Sequence, residues 1–336
     1  MSGATEGRGR GAPADRKGGA HLGLLLLLAA LLSPGAHLEA QGVESLRDAC
    51  ATGASESALT PCADGALAAL GLQHGYGLLA AAAGPIPASP STAGNRLQGS
   101  PRWIFDAGVS WTSFNRPDLT DGQRRDRRSL QGAPRLTVAA GLFEGLSPGP
   151  TVGGVGAIDL VAEARLLPVT AMDGLSGRVA SWGAGARIGV VRESFSLPGV
   201  TLSVMHRRTG TLRYGDPDAD GVQARVAPNV TSLRTVVGKD LWEIGVSGGV
   251  QRDRIRGDGA VRVMDEGTEQ RSGAVSLPAD RTTWFLAFNR TWVVTQFAAE
   301  LGWSPGPDPV GGMGGSGEFT GPASALTGTF TFRVIY

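Results

Sequence analysis

The last ten residues constrain the fold of this chain more than any other stretch. They read TGTFTFRVIY, and every second position counted back from Tyr336 to Phe330 is aromatic or apolar. The positions between them hold threonine and Arg333, with Ile335 as the exception. Because side chains alternate between the two faces of a β-strand, this stretch predicts a strand with one apolar and one polar face.

The same alternation recurs from Pro101 onward in runs of about ten residues, separated by turns or loops. The first run places Trp103 and Trp111 on its apolar face. Along a strand tilted by about 40°, they lie roughly 21 Å apart, close to the apolar band of about 25 Å of a membrane barrel. The sequence therefore predicts an all-β fold, a closed antiparallel transmembrane β-barrel of about ten strands, with eight or twelve as alternatives. A secreted β-sandwich is the rival fold, because its strands would also alternate.

Phe330, Phe332 and Tyr336 resemble the C-terminal aromatic signal by which Gram-negative bacterial outer-membrane β-barrel proteins are delivered to their assembly machinery. The resemblance covers a broad architecture and not one functional family. It implies the bacterial outer membrane as the location. It also implies three partners, namely membrane lipid, lipopolysaccharide and the barrel-assembly machinery. The net charge of +1 gives no reason to expect a nucleic-acid partner.

The N terminus has the pattern of an export signal. Basic residues up to Lys17 precede an apolar run over residues 22–32, and Ser33, Pro34 and Gly35 follow as breakers. The apolar run is shorter than the roughly 20 residues that a spanning helix needs. We therefore predict a signal peptide over residues 1–40 that is cleaved after Ala40, with cleavage after Ala36 as the alternative.

Cys50 and Cys62 are the two cysteines of the chain, and export to an oxidising compartment predicts a disulfide between them. Residues 43–51 and 65–83 look helical, and the Gly- and Pro-rich residues 84–99 form a linker into the first strand. Residues 41–100 thus predict a disulfide-stapled helical segment that either lies in the periplasm or plugs the barrel. Residues 101–336 predict the barrel itself.

Charged residues opposite the apolar strand faces should line the lumen. Their charges nearly balance, and we expect most of them to pair across the interior as a polar core. The alternative is a narrow solute path whose selectivity these charges set. The predicted lumen residues are Asp106, Arg135, Asp159, Glu163, Arg165, Arg187, Arg207, Arg234, Glu243, Glu300 and Arg333.

Two loops carry clustered charges. Asp216, Asp218 and Asp220 match the first half of a calcium-binding loop, but Ala227 stands where the bidentate glutamate is expected, so a solvated loop is the alternative. Residues 121–128 hold four arginines and two aspartates. This second cluster could contact the phosphates of lipopolysaccharide. Apart from possible calcium, no cofactor is predicted.

The sequence does not predict an enzyme. The omptin proteases, which are also ten-stranded outer-membrane barrels, share an Asp-x-His pair, whereas His206 has no aspartate two residues before it. Its position in the alternation also points it toward lipid. The leading function is a narrow passive channel or transport barrel for an unknown small solute, or a structural barrel without throughput. Adhesion or lipopolysaccharide interaction through the long loops is the second candidate, and hydrolysis is the third.

Overall fold

The computed structural model describes residues 36–94, 100–120, 125–149, 152–167, 174–176, 179–307, 309–310, 319 and 321–336. All of them belong to one compact unit, Gly35–Tyr336. Most of the predicted signal peptide lies outside these ranges. Of the helices within them, none combines the length and apolar character that crossing a membrane requires.

Most of the described strands form the antiparallel wall of one closed barrel. The others form a second, smaller sheet. In chain order they are β1 (Arg102–Pro117), β2 (Asp126–Phe143), β3 (Ile158–Leu167), β4 (Leu175–Ser176), β5 (Val179–Val191), β6 (Gly199–Thr209), β7 (Leu212–Tyr214), β8 (Val222–Val226), β9 (Asn229–Leu241), β10 (Ile244–Arg256), β11 (Asp258–Asp265), β12 (Thr268–Arg271), β13 (Val275–Ser276), β14 (Ala279–Trp292), β15 (Thr295–Ser304) and β16 (Ala325–Ile335).

The barrel has ten strands, as the sequence predicts. Around the wall they run β1, β2, β3, β5, β6, β9, β10, β14, β15 and β16. The first and last strands close it, with Ile104 opposite Ile335 and Ser113 opposite Leu326. Every wall strand therefore pairs with a neighbour on both sides, and the wall has no free edge strand.

The outer surface of the wall is an apolar belt between two sets of tryptophans. Large apolar side chains of the wall are exposed on this surface, whereas the charged residues of the alternate positions are buried. Trp103, Trp242 and Trp292 lie toward the end of the barrel at which short turns join β9 to β10 and β14 to β15. Trp111, Trp182, Trp284 and Trp303 lie toward the opposite end. Aromatic girdles around an apolar band are typical of barrels that span a membrane.

The two ends of the barrel differ. The connections between β9 and β10 and between β14 and β15 are two-residue turns, Trp242–Glu243 and Val293–Val294. We call this end the short-turn rim; β1 begins there at Arg102 and β16 ends there at Ile335. At the opposite end, the long-loop rim, the chain between β6 and β9 and between β10 and β14 builds further structure.

Helix α1 (Ala36–Ala51), a 3₁₀ turn (Glu56–Ala58) and helix α2 (Leu59–Ala81) precede the barrel. Both helices begin earlier in the chain than predicted. The predicted disulfide between Cys50 and Cys62 is confirmed, with the two Cα atoms 5.6 Å apart. It joins the end of α1 to the first turn of α2, so the two helices form a stapled hairpin.

The second sheet, in the order β12, β11, β8, β7 and β4 with β13 beside β11, lies at the long-loop rim. One of its faces packs on the helical hairpin, and the buried side chains of this face are Leu212, Tyr214, Val222, Ala224, Val226, Val261 and Val263. We call this sheet, the short helix α3 (Pro217–Asp220), α1 and the first half of α2 the cap. Sequence patterning predicted loops here and missed the cap sheet.

Candidate functional site

The lumen of the barrel is filled by the chain's own N-terminal segment. Helix α2 contacts β1, β2, β6, β9, β10, β14 and β16. Its residues from Cys62 to Ala81 are all buried. The residues that follow, up to Gly94, are buried or half-buried. A helix that is apolar all round needs protein on every side, which the barrel wall and the cap provide. We call residues 76–94 the lumen segment.

Wall arginines bind the backbone of the upper half of the lumen segment. Arg165 donates to the carbonyl oxygens of Leu79 and Ala82, both at 2.7 Å. Arg135 donates to those of Gly84 at 3.0 Å and Pro85 at 2.8 Å. These carbonyls lie at and beyond the end of α2, where helix geometry leaves them without intrahelical partners. Two guanidinium groups therefore supply the hydrogen bonds that water would otherwise make.

The lower half of the segment is held in the same way toward the short-turn rim. Arg187 donates to the carbonyl oxygens of Ser89 at 2.9 Å and Ser91 at 2.8 Å, and Arg333 donates to that of Pro87. The carboxylate of Asp159 accepts from the backbone N–H of Ala93 at 3.0 Å. The segment is thus bonded to the wall along its whole passage through the barrel.

Four buried acids pair with these arginines and with two further ones, Arg207 and Arg234. Glu163 lies 2.7 Å from Arg165, 2.9 Å from Arg207 and 3.8 Å from Arg135. Asp106 lies 3.2 Å from Arg333 and 3.4 Å from Arg135. Asp159 lies 3.3 Å from Arg187, and Glu300 lies 2.6 Å from Arg234. Buried charges persist only when they are paired and hydrogen-bonded, and this network meets that condition with carboxylates and backbone carbonyls together.

The structure places every predicted lumen residue inside the barrel except one. The buried set comprises Asp106, Arg135, Asp159, Glu163, Arg165, Arg187, Arg207, Arg234, Glu300 and Arg333. Glu243 is the exception, and its prediction as a lumen residue is wrong. It lies in the turn between β9 and β10, with its side chain 70% exposed and 3.5 Å from Arg290. Gly238 and Asp240 are typical turn residues, but β9 continues to Leu241 and the turn is formed by Trp242 and Glu243, so Glu243 does not lie on the lumen face of β10.

Two amides that bind the lumen segment were missed. Gln251 donates to the carbonyl oxygen of Ala81 at 2.9 Å, and Asn289 donates to that of Ala88 at 2.8 Å. Gln251 shares its strand face with Gly245 and Gly249, where the alternation already indicated the lumen. Asn289 is a residue type that favours turns, whereas here β14 continues past it to Trp292.

The predicted calcium loop is a helix cap. The side chain of Asp216 accepts from the N–H of Asp218 at 3.0 Å, and that of Asp220 accepts from the N–H of Asp216 at 2.9 Å. Asp216 is thus the N-cap of α3, and Gly221 follows it with a positive φ. Within the described ranges, no group of three His, Cys, Asp or Glu side chains is arranged to hold a metal ion.

The remaining candidate residues lie apart from one another. His206 is exposed on the outer face of β6, where its Nδ1 lies 3.0 Å from Thr231 Oγ1. His74 is buried in α2. In the arginine cluster of residues 121–128, Arg127 lies 3.2 Å from Asp118, and Arg128 donates to Ser113 at 2.7 Å; Arg124 lies outside the described residues.

A cleft of about 1080 Å³ opens at the short-turn rim. Ser91, Thr92 and Ala93 of the lumen segment form part of its lining, together with charged side chains of the rim. The cleft therefore meets the lumen segment at the point where Arg187 and Asp159 bind it.

Phe330, Phe332 and Tyr336 lie on the strand and at the seam that close the barrel. Phe330 and Phe332 are exposed on the outer face of β16, where each packs near Phe297. Tyr336 exchanges two backbone hydrogen bonds with Trp103, at 2.8 and 2.9 Å. The last residue is thus part of the seam that closes the barrel.

No protein-family model matches this sequence, and no curated protein matches it significantly. Solved structures with a similar fold include the translocator domain of the autotransporter NalP from Neisseria meningitidis, which is 10% identical over 70% of this chain and 88% of that one, with a TM-score of 0.35. They also include Ail, the attachment invasion locus protein of Yersinia pestis (7%, 70% and 98%, TM-score 0.29), and the outer membrane protease OmpT from Escherichia coli (9%, 70% and 96%, TM-score 0.32). At these identities and scores the likenesses assign no function to this chain.

Proposed function

We propose that this protein is an exported outer-membrane barrel that anchors a folded cap at the cell surface and, with its lumen segment in place, passes no solute. The apolar belt between tryptophan girdles supports the membrane location, since lipid is the environment that such a surface requires. In outer-membrane barrels the longer loops are extracellular and the short turns periplasmic. In this orientation the cap lies outside the cell, and lipid and lipopolysaccharide surround the wall. The assembly machinery recognises the aromatic end of β16.

One observation carries the proposal. Four arginines and two amides of the wall bind backbone carbonyls of the lumen segment from Leu79 to Ser91. Hydrogen bonds to charged groups are worth about 1.5–3 kcal/mol each. Withdrawing the segment would break several of them at once and leave buried guanidinium groups with fewer partners. A closed barrel is therefore favoured over a permanently open channel.

Conductance tests the closed lumen. The full chain, reconstituted in a planar bilayer after its gel mobility has been shown to shift on heating, is expected to give no channel steps. Arg135→Ala combined with Arg187→Ala removes wall hydrogen bonds to both the upper and the lower half of the lumen segment. This variant is expected to produce intermittent channel steps. Arg290→Ala, which lies exposed on the short-turn rim, serves as the matched control and should stay silent. Regular steps from the unaltered protein would contradict the proposal.

Labelling of intact cells tests the orientation. Ala274 is exposed in the cap and Glu243 is exposed at the short-turn rim. A membrane-impermeant maleimide should label Ala274→Cys in intact cells, and Glu243→Cys only after the outer membrane has been permeabilised. The native cysteines are joined in a disulfide and do not react. The reverse labelling pattern would place the cap in the periplasm and overturn the display function.

Two other functions give different results in these tests. A transport barrel for a small solute would conduct once its segment is displaced by a ligand, and the charged cleft at the short-turn rim is where such a trigger would act. Adhesion through the long loops would require binding that is lost on deleting residues 124–128. We propose no enzymatic activity, because the two histidines that remain after the predicted cleavage lie apart, His206 on the outer wall and His74 within α2.

A further inference from the structure

Four arginines form a row across the cap sheet. Arg213 on β7 lies directly opposite Arg225 on β8, and Arg262 on β11 lies directly opposite Arg271 on β12. Arg225 pairs with Ala260, so Arg262 is its diagonal neighbour. The row therefore crosses four adjacent strands without interruption.

The row lies on the face of the sheet that points away from the helical hairpin. Along β7, β8 and β11 the residues on either side of each arginine are buried against the hairpin, whereas the arginines are half-buried or exposed. Since side chains alternate between faces, all of these guanidinium groups belong to the free face. The same face of the cap carries Ser176, Gln223, Met264 and Glu269.

Acidic partners compensate only part of this charge. Glu269 lies 2.8 Å from Arg271 and 3.3 Å from Arg262. Asp258 shares the face but lies at the other end of β11, beside Ser276. Arg213 and Arg225 have no ion-pair partner among the described residues, and the Nε of Arg225 is buried without a hydrogen-bond acceptor there.

This arrangement costs stability unless an anion is present. Like charges directly opposite each other on neighbouring strands destabilise a sheet. Burial and the nearby guanidinium groups of Arg262, Arg213 and Arg271 lower the pKa of Arg225. A row of mutually repelling cations that is kept on a folded, free surface is therefore complementary to a ligand with several negative charges.

We propose that the arginine row, Arg213, Arg225, Arg262 and Arg271, binds an extended anionic polysaccharide that carries sulfate or carboxylate groups along its length. Neighbouring strands lie about 4.8 Å apart. The row therefore presents one planar guanidinium group, with two N–H donors side by side, on each strand to the successive charges of a linear ligand. Guanidinium groups bind such oxyanions bidentately. The inference does not depend on which rim of the barrel faces the cell exterior.

The composition of the face favours a polysaccharide over a nucleic acid. Sequence-tolerant binding of single-stranded nucleic acid uses aromatic rings on which bases stack. The aromatic residue of the cap strands that carry the row, Tyr214, points to the opposite face and is buried, and the described residues of the free face include no ring. Sugar rings with charged substituents need only the hydrogen-bond donors that the row supplies.

Binding of a fluorescent heparin hexasaccharide to the full chain in detergent tests the proposal. The unaltered protein should bind it, with an affinity that falls as salt is raised. Arg213→Gln combined with Arg225→Gln should lower the affinity by about tenfold or more, since two charge-assisted contacts are lost. Arg256→Gln combined with Arg290→Gln removes the same charge at exposed sites outside the row and should change the affinity less than about twofold.

Folding of each variant is checked by the heat-dependent shift of its gel mobility. Failure of the unaltered protein to bind the hexasaccharide would overturn the proposal, and so would equal losses in the row variant and the control. Oligothymidylate and lipopolysaccharide serve as competing ligands. If either binds more tightly than the hexasaccharide and loses affinity in the row variant, the row serves that ligand and the polysaccharide assignment is wrong.

Discussion

Arg234 on β9 and Glu300 on β15 form a two-point ion pair across the lumen. The Nη1–Oε1 and Nη2–Oε2 distances are 2.9 and 2.6 Å, although β10 and β14 stand between the two strands in the wall. Both side chains are almost fully buried, and the guanidinium group lies 3.5 Å from the centre of the Phe285 ring. The pair therefore connects parts of the wall that do not pair directly.

Removing one member of this pair should weaken the barrel strongly. Glu300→Gln leaves the guanidinium group of Arg234 buried without its carboxylate, a loss of about 3–5 kcal/mol. We expect the heat-induced change in gel mobility to occur at a clearly lower temperature. Glu243→Gln, which removes an exposed carboxylate, should leave that temperature unchanged.

The double variant Arg234→Met with Glu300→Leu separates charge from packing. Replacing a buried ion pair by apolar residues of similar volume is often neutral or stabilising. The double variant should therefore be more stable than Glu300→Gln alone. If it is less stable, the pair contributes more than the desolvation of its charges costs.

A second prediction concerns the contact between α2 and the wall at Gly75. A Cβ atom built at this position would overlap the ring of Phe114 on β1. Gly75→Ala should therefore force the helix or the ring to move, at a cost of about 1–3 kcal/mol. Proteolysis of the hairpin measures this loss. Combining the change with Phe114→Leu should restore resistance, and unchanged resistance in Gly75→Ala alone would contradict the prediction.

The barrel could be predicted from sequence because its wall separates two environments. Residues such as Leu136 and Arg135 alternate between outside and lumen along whole strands, so each strand gives several observations of the same period. The cap strands are shorter. Leu212–Tyr214 offers a single alternation between two turn-rich stretches, which periodicity cannot separate from a loop. Val222–Val226 does alternate, and its three buried positions were the available signal for the cap.

The error at Glu243 has a related cause. Turn prediction favours Gly, Asn and Asp, because these residues adopt positive φ most readily. Here the two short turns begin with Trp242 and Val293, whose φ values are 61° and 57°. Gly238 and Asp240 fit this preference, yet they belong to β9. The pairing of the strands overrides the local preference of these two residues.

The disulfide should stabilise the hairpin and leave the barrel itself intact. It closes a loop between residues 12 apart in sequence, for which loop entropy predicts about 3 kcal/mol. Cys50→Ser with Cys62→Ser should make residues 36–60 sensitive to protease while the heat-dependent shift of the barrel persists. Loss of the shift in this variant would show that the wall requires the stapled hairpin to close.

The last prediction concerns Tyr214, which ties the cap to the end of β1. Its hydroxyl donates to the carbonyl oxygen of Pro117 and accepts from the N–H of Leu119, both at 2.9 Å. Burial raises the pKa of Tyr214 to about 12, against 10.0 for an ordinary tyrosine. The folded state therefore favours the neutral phenol. Its contribution is complete below pH 10 and is lost as the pH rises through about 12.

Hydrogen exchange of the cap measures this dependence. Tyr214→Phe should cost about 1 kcal/mol at neutral pH through the lost hydrogen bonds. It should also remove the Tyr214 component of the decline in cap stability above pH 10, so that the curves of the two proteins converge at high pH. Absorbance at 295 nm follows phenolate formation directly, and the variant should lack the tyrosine that titrates near pH 12. If the cap stabilities of the two proteins fall in parallel up to pH 12, ionisation of Tyr214 does not weaken its contact with β1. That result would contradict the prediction.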